Sequence, residues 1–410
     1  MNAKRNPVVA GMGTILLALG LTASAQTQTT PPAQTPAATA PAVPAAAQAP
    51  AAAPAAAPAP APTNWKFAGV NWTGFVDGYY SFNDNHPTNS ADGQSSDLYN
   101  FDDRTNQWDL DAAKITFNRD PAPVGVHADV IFGRTNALLH PNTTKYDDDY
   151  LEQAYLSWKL VKARGSEIDF GQFVTSAGAE TIEAKDNWNY SRSILFAWAI
   201  PYYHFGFRTS TPVTKTWTAG VQLVNGWNNV VDNEGGPTGA FTSTLTEAKY
   251  TWSLNVYTGP EKSGGLGEYR NLVDTTVLLT PNAKFNAYVN IDYGHNSTSA
   301  YTVKGVTTPE ANADWAGIAL AAHQQFTTNL AAAARWEFFN DRQGFATGTA
   351  QVVQEGTATI ERKWTQRFIA RAEFRHDWSN EDFFHKGANS LVPAQTTLTL
   401  GLIAVIAPKQ

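Results

Sequence analysis

From Trp65 onward, apolar and polar residues alternate along the chain with a period of two. A clear example lies at 248–256, where every second position is apolar: Ala248, Tyr250, Trp252, Leu254 and Val256. Successive side chains of a β-strand point to opposite faces of the sheet, so this period is typical of strands with one apolar and one polar face. Strands of a soluble β-sandwich share this pattern, so the surroundings of the apolar face must be inferred from other features.

The connections between these segments favour a membrane barrel over a soluble sandwich. We place sixteen strands, at 67–82, 107–118, 124–133, 151–161, 166–174, 202–210, 216–225, 237–244, 248–258, 268–279, 284–293, 314–326, 330–339, 348–362, 366–377 and 395–406. Long and short gaps alternate between them, and the long gaps include 83–106, 134–150, 175–201, 226–236, 294–313 and 378–394. Short turns on one rim and long loops on the other are typical of outer-membrane barrels.

The composition favours the same architecture. Charged residues make up only 16% of the chain and aromatic residues 12%, which is unusual for a soluble enzyme with a large hydrated surface. The absence of cysteine excludes disulfide scaffolds and thiol chemistry, and the net charge of −7 argues against a nucleic-acid partner. We predict an all-β fold: a transmembrane, antiparallel, up-and-down β-barrel of about sixteen strands, with fourteen or eighteen as alternatives, short periplasmic turns and long extracellular loops.

The first 64 residues have the composition of targeting and linker segments. A basic start, an apolar run at 8–21 and the small-x-small sequence ASA at 23–25 predict a signal peptide at 1–25. Residues 26–64 are almost entirely Ala, Pro, Gln and Thr, which predicts a disordered periplasmic linker. Residues 65–410 then form a barrel in the outer membrane of a Gram-negative-type bacterium, and an even strand number places both termini on the periplasmic side.

Several segments, in order along the chain, resemble one protein family. They read GFVDGYYSFNDNHP at 74–87, IDFGQFVTSAGAE at 168–180, NWNYSRSILFAWAIPYYHFGFR at 187–208 and LVNGWNNVVDNEG at 223–235. These segments resemble the OmpL-like β-barrel porins. The resemblance implies a water-filled channel for passive diffusion of small hydrophilic solutes or ions, in contact with outer-membrane lipid and lipopolysaccharide and without a cofactor. By analogy with general porins, we also expect a homo-oligomer such as a trimer.

The third long gap is predicted to fold into the lumen and narrow it, because the third long loop of general porins has that position and a wide barrel needs a constriction for selectivity. An acidic loop opposite a ladder of arginines would produce a transverse field that orients dipolar solutes. The alternative is that the acids cap a loop outside the barrel while the arginines neutralise glutamates on adjacent strands. The residues assigned to this pore constriction are Glu180, Glu183, Asp186, Arg192, Arg335, Glu337, Arg371, Glu373 and Arg375.

Further residues are assigned from the phase of the alternation. The charged residues predicted to face the lumen are Asp77, Asp129, Arg208, Lys249 and Asp274. The tryptophans assigned to an interfacial aromatic girdle are Trp72, Trp108, Trp158, Trp217, Trp252, Trp315 and Trp336. We find no G-x-S-x-G, HExxH or nucleotide-binding motif, so we predict no catalytic and no metal site. Two alternative functions stay open, a non-conducting barrel that anchors the envelope and an outer-membrane hydrolase.

Overall fold

The computed structural model describes residues 65–88, 93–140, 150–160, 165–232, 235–261, 268–298, 301–303, 306–308, 311–365 and 367–406. The signal peptide and the linker predicted at 1–25 and 26–64 lie outside the described residues, so both stay predictions.

Sixteen long strands form the wall of the molecule. They are β1 (Val70–Asn83), β2 (Gln107–Arg119), β3 (Val124–Phe132), β4 (Leu151–Leu160), β5 (Ser166–Val174), β6 (Tyr203–Pro212), β7 (Trp217–Val224), β8 (Thr238–Glu247), β9 (Tyr250–Pro260), β10 (Glu268–Leu279), β11 (Phe285–Thr298), β12 (Ala311–Thr327), β13 (Leu330–Asp341), β14 (Gln351–Thr365), β15 (Phe368–Ser379) and β16 (Ala394–Ile406). The predicted all-β fold and the predicted count of sixteen are confirmed.

The sheet closes on itself. Each strand pairs antiparallel with the next strand of the chain. The first and last strands also pair, in a register that runs from Gly74 opposite Ile406 to Asn83 opposite Thr397. A short strand, Trp65–Phe67, folds back on β1. Closure leaves no strand of this wall with an unpaired edge, which is the condition for placing a sheet in hydrocarbon.

The connections are alternately short and long. The short ones lie at 120–123, 161–165, 213–216, 248–249, 280–284, 328–329 and 366–367, and we call this end the short-turn rim. The long ones lie at 84–106, 133–150, 175–202, 225–237, 261–267, 299–310, 342–350 and 380–393, and we call that end the long-loop rim. We refer to residues 175–202 as the third loop.

Small elements lie in the long connections. They are the helix α1 (Arg134–Leu139), a 3-10 turn (Ala184–Asp186), a π-helical turn (Leu195–Ala199) and two hairpins, Tyr301–Val303 with Val306–Thr308 and Phe384–Lys386 with Ser390–Val392. Among the described residues, no helix has the length and apolar character needed to cross a membrane. Two of these elements, the 3-10 turn and the π-helical turn, belong to the third loop.

The two faces of the wall differ in polarity. On β15, the Phe374 side chain is 45% exposed whereas the adjacent Arg375 is fully buried. Large apolar side chains are exposed all around the outer face, among them Val76, Phe117, Leu156, Phe207, Phe241, Ile291, Leu320, Ile360 and Leu400. Soluble proteins keep charge on the surface and away from the interior. This wall has the opposite arrangement, which is that of a barrel surrounded by lipid.

One girdle assignment is wrong. Trp315 on β12 is only 2% exposed, and its Nε1 donates a hydrogen bond to the Ala199 backbone oxygen at 3.0 Å. It therefore faces inward, because the third loop fills the space beside it and satisfies the indole nitrogen. By contrast, Trp108 and Trp158 are 65% and 55% exposed on the outer face, as a girdle requires.

We predict that Leu400→Arg destabilises the folded barrel by about 2–4 kcal/mol in lipid vesicles, because Leu400 lies at the middle of β16 on the exposed face and a charge there enters hydrocarbon. Urea unfolding followed by tryptophan fluorescence measures the free energy. The control is Ala248→Arg in the short turn 248–249, which adds the same side chain near water. Equal effects of the two substitutions would refute the assignment of the outer face to lipid.

Candidate functional site

The third loop is the longest connection between strands in the described part of the chain. Its residues form hydrogen bonds with inward-facing side chains of β1, β2, β9, β11, β12, β13, β14 and β15. These strands belong to opposite parts of the ring. The polar inner face of the wall is therefore engaged by one segment of the chain.

Two wall glutamates bind the backbone of the third loop. Glu373 on β15 accepts hydrogen bonds from the backbone nitrogens of Tyr190 at 2.5 Å and Ser191 at 2.9 Å. Glu337 on β13 accepts one from the backbone nitrogen of Ile194 at 2.5 Å. Hydrogen bonds from backbone N–H groups to a carboxylate are stronger than neutral ones. Both glutamates therefore hold residues 190–194 of the third loop against the wall.

Three wall arginines bind the backbone oxygens of the same stretch. Arg335 donates to the Ser191 oxygen at 2.8 Å, and Arg375 donates to the oxygen of Arg192 at 2.8 Å. Arg371 donates to the Asn189 oxygen at 3.2 Å. Because acceptors and donors of the wall alternate along β13 and β15, they match the alternating N–H and C=O groups of the loop backbone.

The same arginines are paired with carboxylates. Arg335 contacts Glu355 at 2.8 Å and Glu180 of the loop at 2.7 Å. Arg375 lies 2.8 Å from Asp377 and 3.1 Å from Glu355. The side chains of Arg335 and Arg375 are not exposed at all. The arginine ladder thus faces both the loop and the glutamates of the adjacent strands, and the transverse field predicted at the constriction stays a prediction.

A second group of contacts lies on β2, β3 and β4. The Lys114 ammonium is in contact with Glu183 of the loop, with Glu152, and with Asp129 at 2.9 Å. Carboxylate oxygens of these three acids lie within 4.8 Å of one another, a spacing that a metal ion could bridge. In this structure the ammonium contacts all three acids, so it supplies the positive charge that the cluster needs.

Residues 190 and 192 of the third loop are also bound by β1 and β2. The Tyr190 hydroxyl donates to Asp77 at 2.8 Å. Arg192 donates to Asp111 on β2 at 3.1 Å and lies 3.6 Å from Asp102 in the first long loop. The segment 189–194 is therefore bound from both sides of the barrel.

The remaining predicted residues have separate places. Asp186 lies in the 3-10 turn, is exposed, and pairs with Lys185. Arg208 contacts Asp169 on the neighbouring strand at 2.7 Å. Asp274 is buried and accepts hydrogen bonds from the amides of Asn255 and Asn290, both at 2.7 Å. These residues face the inside of the barrel but do not belong to the ladder that holds the loop.

The assignment of Lys249 to the lumen is wrong. This residue lies in the two-residue turn between β8 and β9 and is exposed at the short-turn rim. The alternation of the sequence continues through Ala248 and Lys249 even though the chain reverses there. Glu247 and Tyr250 lie opposite each other, so Ala248 and Lys249 form the turn, and only their residue types continue the alternation of β9. The period of the sequence alone therefore does not reveal this turn.

Sequence reasoning missed Glu355 and Tyr190. Glu355 pairs with two arginines of the ladder and is fully buried. The alternation within the predicted strand 348–362 places Glu355 on the polar face, and this position could have identified it as an inward-facing residue. Tyr190 binds Asp77, which is 113 residues away along the chain, and no local pattern contains that contact.

His376, Asp377 and Ser379 lie close together in the sequence, but the described structure does not assemble them into a catalytic triad. His376 and Asp377 are neighbours on β15, so they point to opposite faces of the sheet. His376 contacts the Thr396 hydroxyl at 3.0 Å, whereas Asp377 pairs with Arg375 inside the barrel. The local sequence cluster thus does not bring these two groups together.

Apolar residues of several long loops pack beside the third loop. Leu195 and Phe196 of its π-helical turn are buried together with Leu98 and Phe101 of the first long loop and Phe384 of the last. The Trp198 indole also donates to the Leu98 oxygen at 3.0 Å. The loops at this rim therefore form one packed layer with the third loop.

Comparison with known proteins gives a family and a fold. The family model described as "Putative beta-barrel porin-2, OmpL-like" matches residues 69–406. A search of curated proteins finds no significant match. Similar solved structures include an anion-selective porin from Comamonas acidovorans, with 9% identity, 82% of this chain and 99% of that chain covered, and a TM-score of 0.56.

Two further structures have the same architecture. The outer-membrane channel DcaP of Acinetobacter baumannii is 12% identical, with 83% of this chain and 99% of that chain covered and a TM-score of 0.53. OmpF of Salmonella typhi, solved with daunomycin, is 14% identical, with 82% and 97% covered and a TM-score of 0.54. At these identities the likeness shows the barrel fold alone.

We predict that Glu373→Gln speeds hydrogen exchange at the amides of Tyr190 and Ser191 by about tenfold or more, because the charged acceptor of both hydrogen bonds is lost. Hydrogen-exchange mass spectrometry of the protein in detergent measures this. Glu247→Gln, at an exposed position near the short-turn rim, is the matched control and should leave both amides unchanged. Unchanged exchange in Glu373→Gln would show that the carboxylate does not hold the loop.

The contact between Glu183 of the third loop and Lys114 on β2 should weaken only at low pH. Burial raises the pKa of Glu183, but the ammonium groups of Lys114 and Lys185 outweigh burial and lower the pKa below its ordinary value. A lowered pKa contributes stability above the unfolded pKa, and this contribution disappears as the pH falls through the folded pKa. We therefore predict that Glu183 stays ionised at pH 5. The protonation state is measured from the infrared carboxyl band that the unmodified protein has and the Glu183→Gln variant lacks. Protonation of Glu183 at or above pH 5 would refute its ion pair with Lys114.

Proposed function

The chain belongs to the OmpL-like β-barrel porin family, and on this premise we propose that it is an outer-membrane porin whose third loop folds into the lumen and narrows it. Small hydrophilic solutes and ions diffuse passively through the space that remains. The proposal assigns no chemical reaction to the site, because its charged groups bind one another and the loop backbone.

One observation carries this proposal: the charged residues of β13 and β15 bind the backbone of the third loop at 189–194. Glu337, Arg335, Glu373 and Arg375 all lie on the inner face of the wall and are buried. A loop attached to that face at successive residues occupies part of the lumen. It narrows the channel as selectivity requires.

The charges that act on solutes are then those that line the remaining space. Two cavities of about 470 and about 260 Å³ lie along the third loop, and Lys185 and Asp186 line both. The larger cavity also contains Lys114, Asp129, Glu180 and Glu183 among its lining residues. We propose that the charges around these cavities, more than the buried ladder, set the preference of the channel for ions.

Orientation and assembly are part of the same proposal. The short-turn rim faces the periplasm, so both ends of the barrel sequence emerge there. The apolar outer face contacts outer-membrane lipid and lipopolysaccharide. A homotrimer, the state of general porins, stays a prediction, and native mass spectrometry in detergent tests it.

We predict that the double substitution Glu337→Gln and Glu373→Gln raises single-channel conductance in planar bilayers, on the order of twofold, because the loop no longer narrows the lumen. The reversal potential in a salt gradient measures ion preference in the same experiment. The matched control removes two carboxylates at the short-turn rim, Asp120→Asn and Glu247→Gln, and should conduct like the unmodified protein.

Two outcomes would contradict the proposal. A folded barrel that conducts no ions would favour the structural anchor over the porin. A double variant with unchanged conductance and unchanged ion preference would show that the third loop is not the constriction.

A further inference from the structure

We propose that the smaller cavity beside the third loop is a binding subsite for the ring form of a sugar acid, which names a solute class for the porin and rests on the proposed function. The cavity has a volume of about 260 Å³. Part of its lining comes from wall residues close to the short turns 328–329 and 366–367, so it lies toward the short-turn rim. Its lining residues include Lys185, Trp188, Asn286, His323, Lys363 and Arg371.

An aromatic surface forms one side of the cavity. The Trp188 ring of the third loop lies 5.2 Å from the Tyr288 ring and 5.6 Å from the His323 ring, with interplanar angles of 31° and 27°. Small inward-facing residues of β13, Ala331 and Ala333, leave the adjacent room. An aromatic ring offers a flat apolar contact at low conformational cost, which suits the C–H face of a sugar ring.

Positive charge is in excess around the same cavity. The ammonium of Lys363 lies 3.1 Å from Glu361, and the guanidinium of Arg371 lies 2.8 Å from that same carboxylate. One carboxylate therefore serves two cations. The third cation, Lys185, pairs with Asp186. A solute carboxylate would supply the missing negative charge.

Lys363 is the cation best placed to meet a solute. Its side chain is 34% exposed, whereas that of Arg371 is only 3% exposed and is held by Glu361 and the loop backbone. In the larger cavity the balance is reversed, because carboxylates outnumber cations among its lining residues. An anionic solute is therefore directed to the smaller cavity.

The size and the polar groups fit one sugar ring. The volume of about 260 Å³ lies just below the range of about 300–1,000 Å³ that is usual for drug-sized ligands, which suits a single sugar ring. The amide side chains of Asn187, Asn286 and Gln325 also line the cavity. Amides offer both donors and acceptors, as sugar hydroxyls require. The combination of aromatic face, amides and cation points to a cyclic sugar acid.

The test is the block of single-channel current by three probes, applied to the full mature chain in planar bilayers. D-galacturonate carries a ring and a carboxylate, D-galactose carries the ring alone, and D-gluconate carries the carboxylate on an open chain. We expect galacturonate to bind more tightly than either of the other two. Equal binding of galactose would remove the role of charge, and equal binding of gluconate would remove the role of the aromatic surface; either result would overturn the proposal.

Three substitutions connect the block to the cavity. Trp188→Ala should weaken binding of galacturonate roughly five- to tenfold, through loss of the stacking surface. Lys363→Gln should weaken it about threefold while binding of galactose stays the same, as expected of an exposed charge pair. Glu361→Gln should strengthen it, because both cations are then released for the solute. A substitution that only disturbed the structure would weaken binding of galacturonate in both variants. Opposite changes in Lys363→Gln and Glu361→Gln would therefore show that the charge of the cavity acts on the solute.

The controls are Lys215→Gln and Trp158→Ala. Lys215 is an exposed lysine in another short turn, and Trp158 is a tryptophan on the outer face. Both should bind galacturonate like the unmodified protein, and a loss of binding in either would overturn the assignment to this cavity.

Calorimetric titration of the three probes in detergent measures binding independently of conduction, so failure of the subsite and failure of the channel can be distinguished. Current without any block, and no heat of binding, would overturn the subsite and leave the porin intact. Heat of binding without current would support the subsite and refute the porin.

Discussion

The hydrocarbon of a membrane offers no hydrogen-bond partner to the backbone, and the architecture of this protein follows from that constraint. β1 must pair with β16 so that the sheet has no open edge. Closure then fixes the polarity of every strand, because alternate side chains face either lipid or the enclosed space. Apolar residues such as Phe374 are exposed on one side, and charged residues such as Arg375 are buried on the other.

The enclosed charges need partners, and the third loop supplies many of them. Removing one partner of a buried ion pair costs about 3–5 kcal/mol, since it leaves an uncompensated charge away from water. Arg335 illustrates the arrangement, because it is shared between Glu355 of the wall and Glu180 of the loop. The loop is thereby tied to the wall by the same groups that the wall needs to neutralise. Attachment of the loop and stability of the charged inner face are one property.

The strands could be predicted from the sequence because their signal is local and repeated. The predicted segment 268–279 coincides with β10, and 330–339 falls within β13. Lys249 was misplaced because the residue types of the two-residue turn happen to continue the alternation of β9. Trp315 was misplaced because its inner surroundings are made by a distant loop. The charged residues of the site were found by phase and composition. Their pairing was not, because contacts such as that of Tyr190 with Asp77 depend on closure of the whole ring.

Closure also decides which charges can act on a solute. A charge that is buried and doubly paired, as Arg375 is, contributes to position and not to the field in water. The contacts at 189–194 fix the loop, while Lys185 and Asp186 of the preceding 3-10 turn line both cavities. Charges near this turn keep part of their surface in water, as Lys363 does. The number of charged residues inside a barrel is therefore a poor guide to its selectivity, because the contacts of the third loop also determine which of those charges are already paired.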